Sequence, residues 1–150
     1  MAQINGISIK KRVEFKGHEG ESCTQGDLYI GKIKVGEYSD SYTMGPVDIH
    51  IEPQYNEEFY RRIKEYWAKQ GKEGEYYEED GMFLYTLNQY IDLEKYFKKA
   101  IKGGGIGIAV DIDNMWKGLY YIYKMEGFDE VKEENPNSQL ISDISYFTVM

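Results

Sequence analysis

Residues 27–35, with the sequence DLYIGKIKV, carry a clear β-hairpin pattern. Apolar and polar side chains alternate on both sides of Gly31, and a period of two is typical of a β-strand with one buried face and one solvent-exposed face. A glycine between two such runs predicts a tight β-hairpin. The first third of the chain is therefore expected to consist of antiparallel strands.

Two further segments extend this pattern. Residues 7–15 alternate in the same way, apart from Lys11, which interrupts the apolar positions once. Residues 47–51 form another alternating run, and Pro53 ends it because proline cannot donate a hydrogen bond to a sheet. The polar, Gly-containing segment 16–25 predicts a loop.

The middle third has the periodicity of helices. The side chains of Phe59, Ile63, Tyr66 and Trp67 fall on one stripe of a helix, and Asn56 is the expected N-cap. A second helix is predicted from Met82 to Ile101.

The last third returns to strands, at residues 106–110, 119–125 and 144–149, while the acidic segment 129–137 predicts an exposed region with at most one helical turn. Strands, helices and strands in that order indicate an α+β fold. We expect a single domain, residues 1–150, in which an antiparallel sheet from the N- and C-terminal strands packs against two central helices.

The composition is acidic and rich in tyrosine. The chain has 15 Tyr, 26 Asp and Glu, 18 Lys and Arg, and a formal net charge of -8. Such a charge disfavours direct binding to nucleic acid and favours a partner with a basic surface. The single Cys23 predicts a reducing, cytoplasmic location. No apolar run is long enough for a signal peptide or a membrane span, so no membrane association is expected.

Three groups of residues are candidates for ligand binding or catalysis. The glycines of 103–107 resemble a phosphate-binding loop, but they follow a helix and precede a strand, which is the reverse of the required order. Asp111 and Asp113 could hold a divalent cation in a metal-dependent hydrolase, or simply form a polar turn. His18, Cys23 and His50 could hold a zinc ion with a carboxylate, or supply a Cys nucleophile with a His base, but their separations match no known local spacing and a Gly-rich loop that contains His18 and Cys23 is the simpler interpretation. We therefore predict no catalytic residue, no metal and no cofactor, and a chain that is not an enzyme.

The acidic connector between the two helices is the predicted partner-binding site. Carboxylates spaced along a chain can imitate phosphates, and tyrosine rings can stack against the arginine side chains of a partner. Its residues are Glu73, Glu75, Tyr76, Tyr77, Glu78, Glu79 and Asp80. A second acidic group of similar character comprises Asp129, Glu130, Glu133 and Glu134.

Residues 26–46 carry a resemblance to a group of proteins. The elements are Leu28-Tyr29-Ile30, Gly31-Lys32, Val35-Gly36, Ser39-Asp40 and Gly45-Pro46. This pattern resembles the opening of uncharacterised small accessory proteins of bacteriophages and mobile elements. The resemblance implies a phage accessory protein in the bacterial cytoplasm, and it brings no catalytic residues with it.

Composition and resemblance together predict a non-catalytic, anti-defence inhibitor that mimics nucleic acid and occupies a basic groove of a host protein. The alternative is a protein that binds or sequesters a nucleotide-type small ligand near Gly105–Asp113. The tyrosine-rich surface also allows a homodimer.

Overall fold

The computed structural model describes residues 1–17, 20–40, 47–103, 106–109, 119–122, 125–134, 136, 139–141 and 148–149. Contacts divide the chain into two compact units, which are described separately. The N-terminal unit comprises Gln3–Leu87 with Val149–Met150, and the C-terminal unit comprises Asn88–Thr148 with Met1–Ala2. The division falls within a continuous helix. The expectation of a single domain stays a prediction.

The N-terminal unit is built on an antiparallel meander. Its strands are β1 (Gln3–Ile4), β2 (Ile7–Lys16), β3 (Ser22–Ile30), β4 (Ile33–Asp40) and β5 (Asp48–Ile51). They lie in sequence order across the sheet, and a short last strand, Thr148–Val149, lies beside β1. The predicted hairpin at Gly31 is confirmed, because Ile30 pairs with Ile33 and Gly31 has a φ of 59°.

Another tight turn joins β1 to β2 and was not predicted. Ile4 pairs with Ile7 across Asn5 and Gly6, whose φ angles are 47° and 79°. Asn-Gly with both residues at positive φ is the preferred chemistry of a two-residue hairpin. The predicted loop at 16–25 is too long, because β3 already begins at Ser22.

Two helices follow the meander. Helix α1 (Pro53–Lys69) begins at the proline and not after Asn56, so the N-cap prediction is wrong. Proline is well suited to the first helical position, where its missing N–H has no partner to lose. The predicted apolar stripe of α1 is confirmed, since all four of its residues are buried. Helix α2 (Glu79–Lys102) begins one turn earlier than predicted.

The core of the N-terminal unit joins strands to helices. The largest of its fully buried side chains are Ile4, Ile7, Leu28, Phe59, Ile63, Phe83, Leu84 and Leu87. The guanidinium of Arg62 donates to the carbonyl oxygen of Asn5 at 2.9 Å, while the Asn5 amide donates to the carbonyl of Arg62 at 3.0 Å. These reciprocal bonds fix the β1–β2 turn against α1.

The C-terminal unit contains a second antiparallel sheet. Its elements after α2 are β6 (Ile106–Ala109), β7 (Leu119–Ile122), α3 (Met125–Glu134) and β8 (Gln139–Ile141), and the strand β9 (Thr148–Val149) is the one beside β1. The sheet order is β7-β6-β8. Helix α3 and strand β8 were not predicted. On α2, the carboxylate of Glu94 is nearly buried and lies 3.5 Å from the Lys98 ammonium.

The structure confirms the α+β class, with antiparallel strands at both ends of the sequence and two central helices. It corrects one detail of the predicted architecture. The strands form two sheets, and among the C-terminal strands β9 joins the N-terminal sheet. Within the described part of the chain, no helix is long and apolar enough to cross a membrane.

Candidate functional site

The acidic connector, residues 70–78 together with the first turn of α2, is held by backbone hydrogen bonds and glycine turns. The amide of Lys72 donates to the carbonyl of Trp67 at 2.8 Å, and that of Glu75 to the carbonyl of Lys72 at 3.1 Å. Gly71 and Gly74 have φ angles of 70° and 72°, a conformation that favours glycine. The chain therefore turns tightly after α1 instead of forming an extended loop.

Trp67 is the buried side chain against which this connector packs. It is 3 % exposed and its ring contacts that of Tyr76, with the centroids 4.8 Å apart. Its indole N–H donates to the carbonyl of Glu79 at 2.9 Å. Because one residue contacts both the connector and the start of α2, the two ends of the segment are held in one geometry.

The predicted partner-binding residues divide into two groups. Glu73, Glu75, Tyr77 and Glu78 are exposed, whereas Tyr76, Glu79 and Asp80 are partly buried. Tyr77 is fully exposed, at 102 % of its reference area. We call Glu73, Glu75, Tyr77 and Glu78 the connector surface.

The three partly buried residues have structural contacts. The Tyr76 hydroxyl accepts a hydrogen bond from the Lys72 ammonium at 3.2 Å. A carboxylate oxygen of Glu79 accepts from the amide of Gly74 at 3.4 Å, and one of Asp80 from the amide of Gly81 at 2.8 Å. Negative charge at a helix N-terminus is favourable. Tyr76, Glu79 and Asp80 therefore hold the connector in place and are not part of the connector surface.

Among the tyrosines whose burial the structure describes, fewer are fully exposed than the composition suggested. Tyr38, Tyr66 and Tyr90 are buried, and Tyr29, Tyr55, Tyr60 and Tyr76 are partly buried. Tyr77, Tyr85 and Tyr96 are exposed. Tyr77 alone among these lies within the predicted site.

A polar groove on the sheet of the N-terminal unit is a feature that sequence reasoning missed. It has a volume of about 420 Å³ and lies across β2, β3, β4 and β5. Lys11, the residue that interrupts the alternation of β2, lines it and marks a bulge, because the register shifts between Lys10 and Val13. That interruption was the feature of the sequence that could have indicated the groove.

Two of the residues considered as chemical candidates, Cys23 and His50, lie in the described part of the chain. Cys23 is buried, and its burial, followed by the nearby carboxylates of Glu21 and Asp40, raises the pKa of the thiol. A thiol with a raised pKa is a poor nucleophile at neutral pH. His50 is exposed and lies 3.1 Å from Asp48, while His18 falls outside the described residues.

Asp111 and Asp113 lie outside the described residues, as does most of the ligand region predicted at Gly105–Asp113. Among the described side chains, no group of His, Cys, Asp or Glu is arranged to hold a metal ion.

Comparisons of the chain with family models, with curated proteins and with solved structures found no match. The resemblance to phage accessory proteins therefore stays a prediction.

Proposed function

We propose that this chain acts without catalysis, by binding a protein with a basic surface through the connector surface. The observation that supports the proposal best is Tyr77, a fully exposed ring between the exposed carboxylates of Glu75 and Glu78. A tyrosine in this setting can enter a pocket of a partner or stack on an arginine, which is the usual role of an interface anchor.

The packing and hydrogen bonds beneath the connector surface keep it ordered, and this order favours binding. Tyr76 is packed on Trp67, and the turns at Gly71 and Gly74 are closed by backbone hydrogen bonds. A segment that is already ordered loses little conformational entropy when a partner binds. The exposed carboxylates would mainly raise the association rate, because charges at the rim of an interface steer encounter.

The charge also narrows the class of partner. With a net charge of -8, the chain repels phosphate backbones and attracts proteins that bind them. We propose that the partner is a host defence protein with a basic nucleic-acid groove, met in the bacterial cytoplasm, as the resemblance to phage accessory proteins implies. A second copy of this chain is a poorer occupant of the connector surface, because the same negative charges would face each other.

The test uses three baits in a bacterial lysate: the natural chain, a triple variant and a charge-matched control. The triple variant carries Tyr77→Ala with Glu75→Lys and Glu78→Lys. The control carries Glu133→Lys and Glu134→Lys, two exposed positions in the last turn of α3 where positive charge suits the helix dipole. Both charge reversals change the net charge by the same amount.

We expect the natural chain and the control to retain a common partner that the triple variant loses. With that partner purified, Tyr77→Ala alone should weaken binding about thirtyfold, corresponding to about 2 kcal/mol for an interface anchor. The association rate should fall with salt concentration for the natural chain. Equal loss of the partner from both charge-reversed baits, or rates that do not change with salt, would contradict the proposal.

A further inference from the structure

The polar groove on the sheet is separate from the connector surface and has its own chemistry. Its lining residues are Lys11, Gln25, Gly26, Asp27, Glu37, Tyr38, Ser39, Asp48 and His50. Its volume, about 420 Å³, falls within the range of small-molecule sites. The strand register explains why polar groups converge there.

Two cross-strand rows form the groove. Asp27 pairs with Glu37 and Glu37 with His50 in one row, while Gln25 pairs with Ser39 and Ser39 with Asp48 in the next. Paired residues, and residues two apart on a strand, lie on the same face of a sheet. Six polar side chains are therefore presented on one face, opposite the face that carries Leu28.

Lys11 enters this groove from a strained position. Its φ is 53°, in the left-handed region that residues other than glycine rarely adopt. It lies in the bulge between Lys10 and Val13, and a bulge redirects a side chain relative to the regular strand. The bulge thus adds an ammonium group to a groove whose other polar side chains are carboxylates, an amide, hydroxyls and the imidazole of His50.

Two of the three carboxylates that line the groove have a basic side chain nearby. Asp27 lies 3.4 Å from the Lys34 ammonium, and Asp48 lies 3.1 Å from the imidazole of His50. Lys11 and Glu37, both exposed, form no ion pair with any residue that the structure describes. They stand on β2 and β4 with β3 between them, about 10 Å apart at the backbone.

We propose that this groove binds a small zwitterion, with its carboxylate on Lys11 and its ammonium on Glu37. Gln25 and Ser39 lie in the neighbouring row and offer neutral hydrogen-bonding groups to the middle of such a ligand. A short free peptide has this chemistry, since an extended tripeptide spans about 10 Å. A ligand with only one of the two charges would leave either Lys11 or Glu37 without a partner.

The experiment titrates triglycine into the isotopically labelled protein and follows the backbone amides by NMR. Two blocked peptides serve as matched probes: N-acetyltriglycine, which lacks the ammonium, and triglycinamide, which lacks the carboxylate. The protein variants are Lys11→Gln and Glu37→Gln, with Lys32→Gln as a control because Lys32 is exposed at a hairpin turn outside the groove.

We expect triglycine to shift the amides of Gln25, Asp27, Ser39 and His50 to saturation. Each blocked peptide should bind the natural chain about fivefold more weakly, as for an exposed charge pair. The Lys11→Gln variant should no longer distinguish triglycine from triglycinamide, and the Glu37→Gln variant should no longer distinguish it from N-acetyltriglycine. The Lys32→Gln control should behave as the natural chain.

The proposal is overturned if triglycine produces no saturable shifts at these amides, or if blocking either end of the peptide leaves its affinity unchanged. The blocked peptides test the natural chain, so this result stands even where a variant folds poorly. Failure here would leave the proposed protein-binding function untouched, because no residue of the connector surface lines the groove.

Discussion

Gly36 shows how closely two backbones approach in the N-terminal sheet. A Cβ added to Gly36 would overlap the carbonyl oxygen of His50 and lie 2.9 Å from the Cα of Ile51, both on β5. Neither obstacle is the flexible end of a side chain, so β5 would have to move. The glycine therefore fixes the spacing between β4 and the edge strand that carries His50.

We predict that Gly36→Ala lowers the free energy of unfolding by about 2–3 kcal/mol, as is typical of overpacking. The matched control is Gly81→Ala in the first turn of α2, where the nearest atom to an added Cβ is 3.4 Å away. Alanine is the better helix former, so this variant should gain up to about 1 kcal/mol. Urea denaturation measures both, and a loss of equal size in the two variants would refute the steric argument.

Individual residues were predictable where their role follows from periodicity. The apolar stripe of α1 and the turn at Gly31 follow from spacing alone, and both are confirmed. Tyr76 and Tyr77 could not be distinguished in this way, because a tyrosine is equally suited to a core edge and to a surface. Their difference comes from Trp67, which lies nine positions before Tyr76 and contacts that ring only in the folded chain.

The type of a helix or strand was predictable where local sequence chemistry determines it. The residues at which these elements begin and end were predicted less well. The start of α1 was misplaced because Pro53 was interpreted only as the end of a strand, whereas proline also begins helices well. Helix α3 was missed because its sequence MEGFDEVKEE is short, acidic and contains a glycine. Its formation depends on more than its own propensity.

The connector permits a test at the scale of one element. Tyr76 packs on Trp67 and accepts a hydrogen bond from Lys72, whereas Tyr77 is fully exposed. We predict that Tyr76→Ala lowers the free energy of unfolding by about 2 kcal/mol, through lost ring contact and burial. Tyr77→Ala should change it by no more than about 0.5 kcal/mol.

Chemical denaturation followed by tryptophan fluorescence in a Trp116→Phe background suits this comparison, because Trp67 is then the one tryptophan and its fluorescence reports on the contact that Tyr76→Ala removes. Similar losses from both variants would mean that Tyr77 is also packed, and the connector surface would then lose its anchor. A loss confined to Tyr76 supports the division between a supporting residue and a binding residue.

For the whole molecule, the α+β class could be predicted from the sequence, but the pairing of the strands could not. A strand of four residues such as β6 carries no information about which distant strand it will join, since several short partners have similar patterns. The groove was missed for the same reason. Its residues come from β2, β3, β4 and β5, and only the register brings them onto one face.

The response of stability to alkaline pH follows from two groups in the N-terminal unit. Burial raises the pKa of the Cys23 thiol above its ordinary 9.0, and the negative charges of Glu21 and Asp40 raise it further. Burial likewise raises the pKa of the Tyr60 hydroxyl above 10.0, and the negative charge of Asp80 adds to this. The folded chain therefore keeps protons that the unfolded chain releases. Stability from these groups is complete below pH 9 and is lost as the pH rises through their pKa values in the folded protein.

We predict that the urea midpoint falls as the pH is raised above 9, and that it falls less in Cys23→Ala because that variant has no thiol to ionise. Tyr60→Phe should remove the part of the decline that begins near pH 10. Each variant is compared with its own midpoint at neutral pH, so the cost of the substitution itself cancels. If both variants decline as steeply as the natural chain, the loss arises from the general repulsion of a chain that is already at -8 at neutral pH.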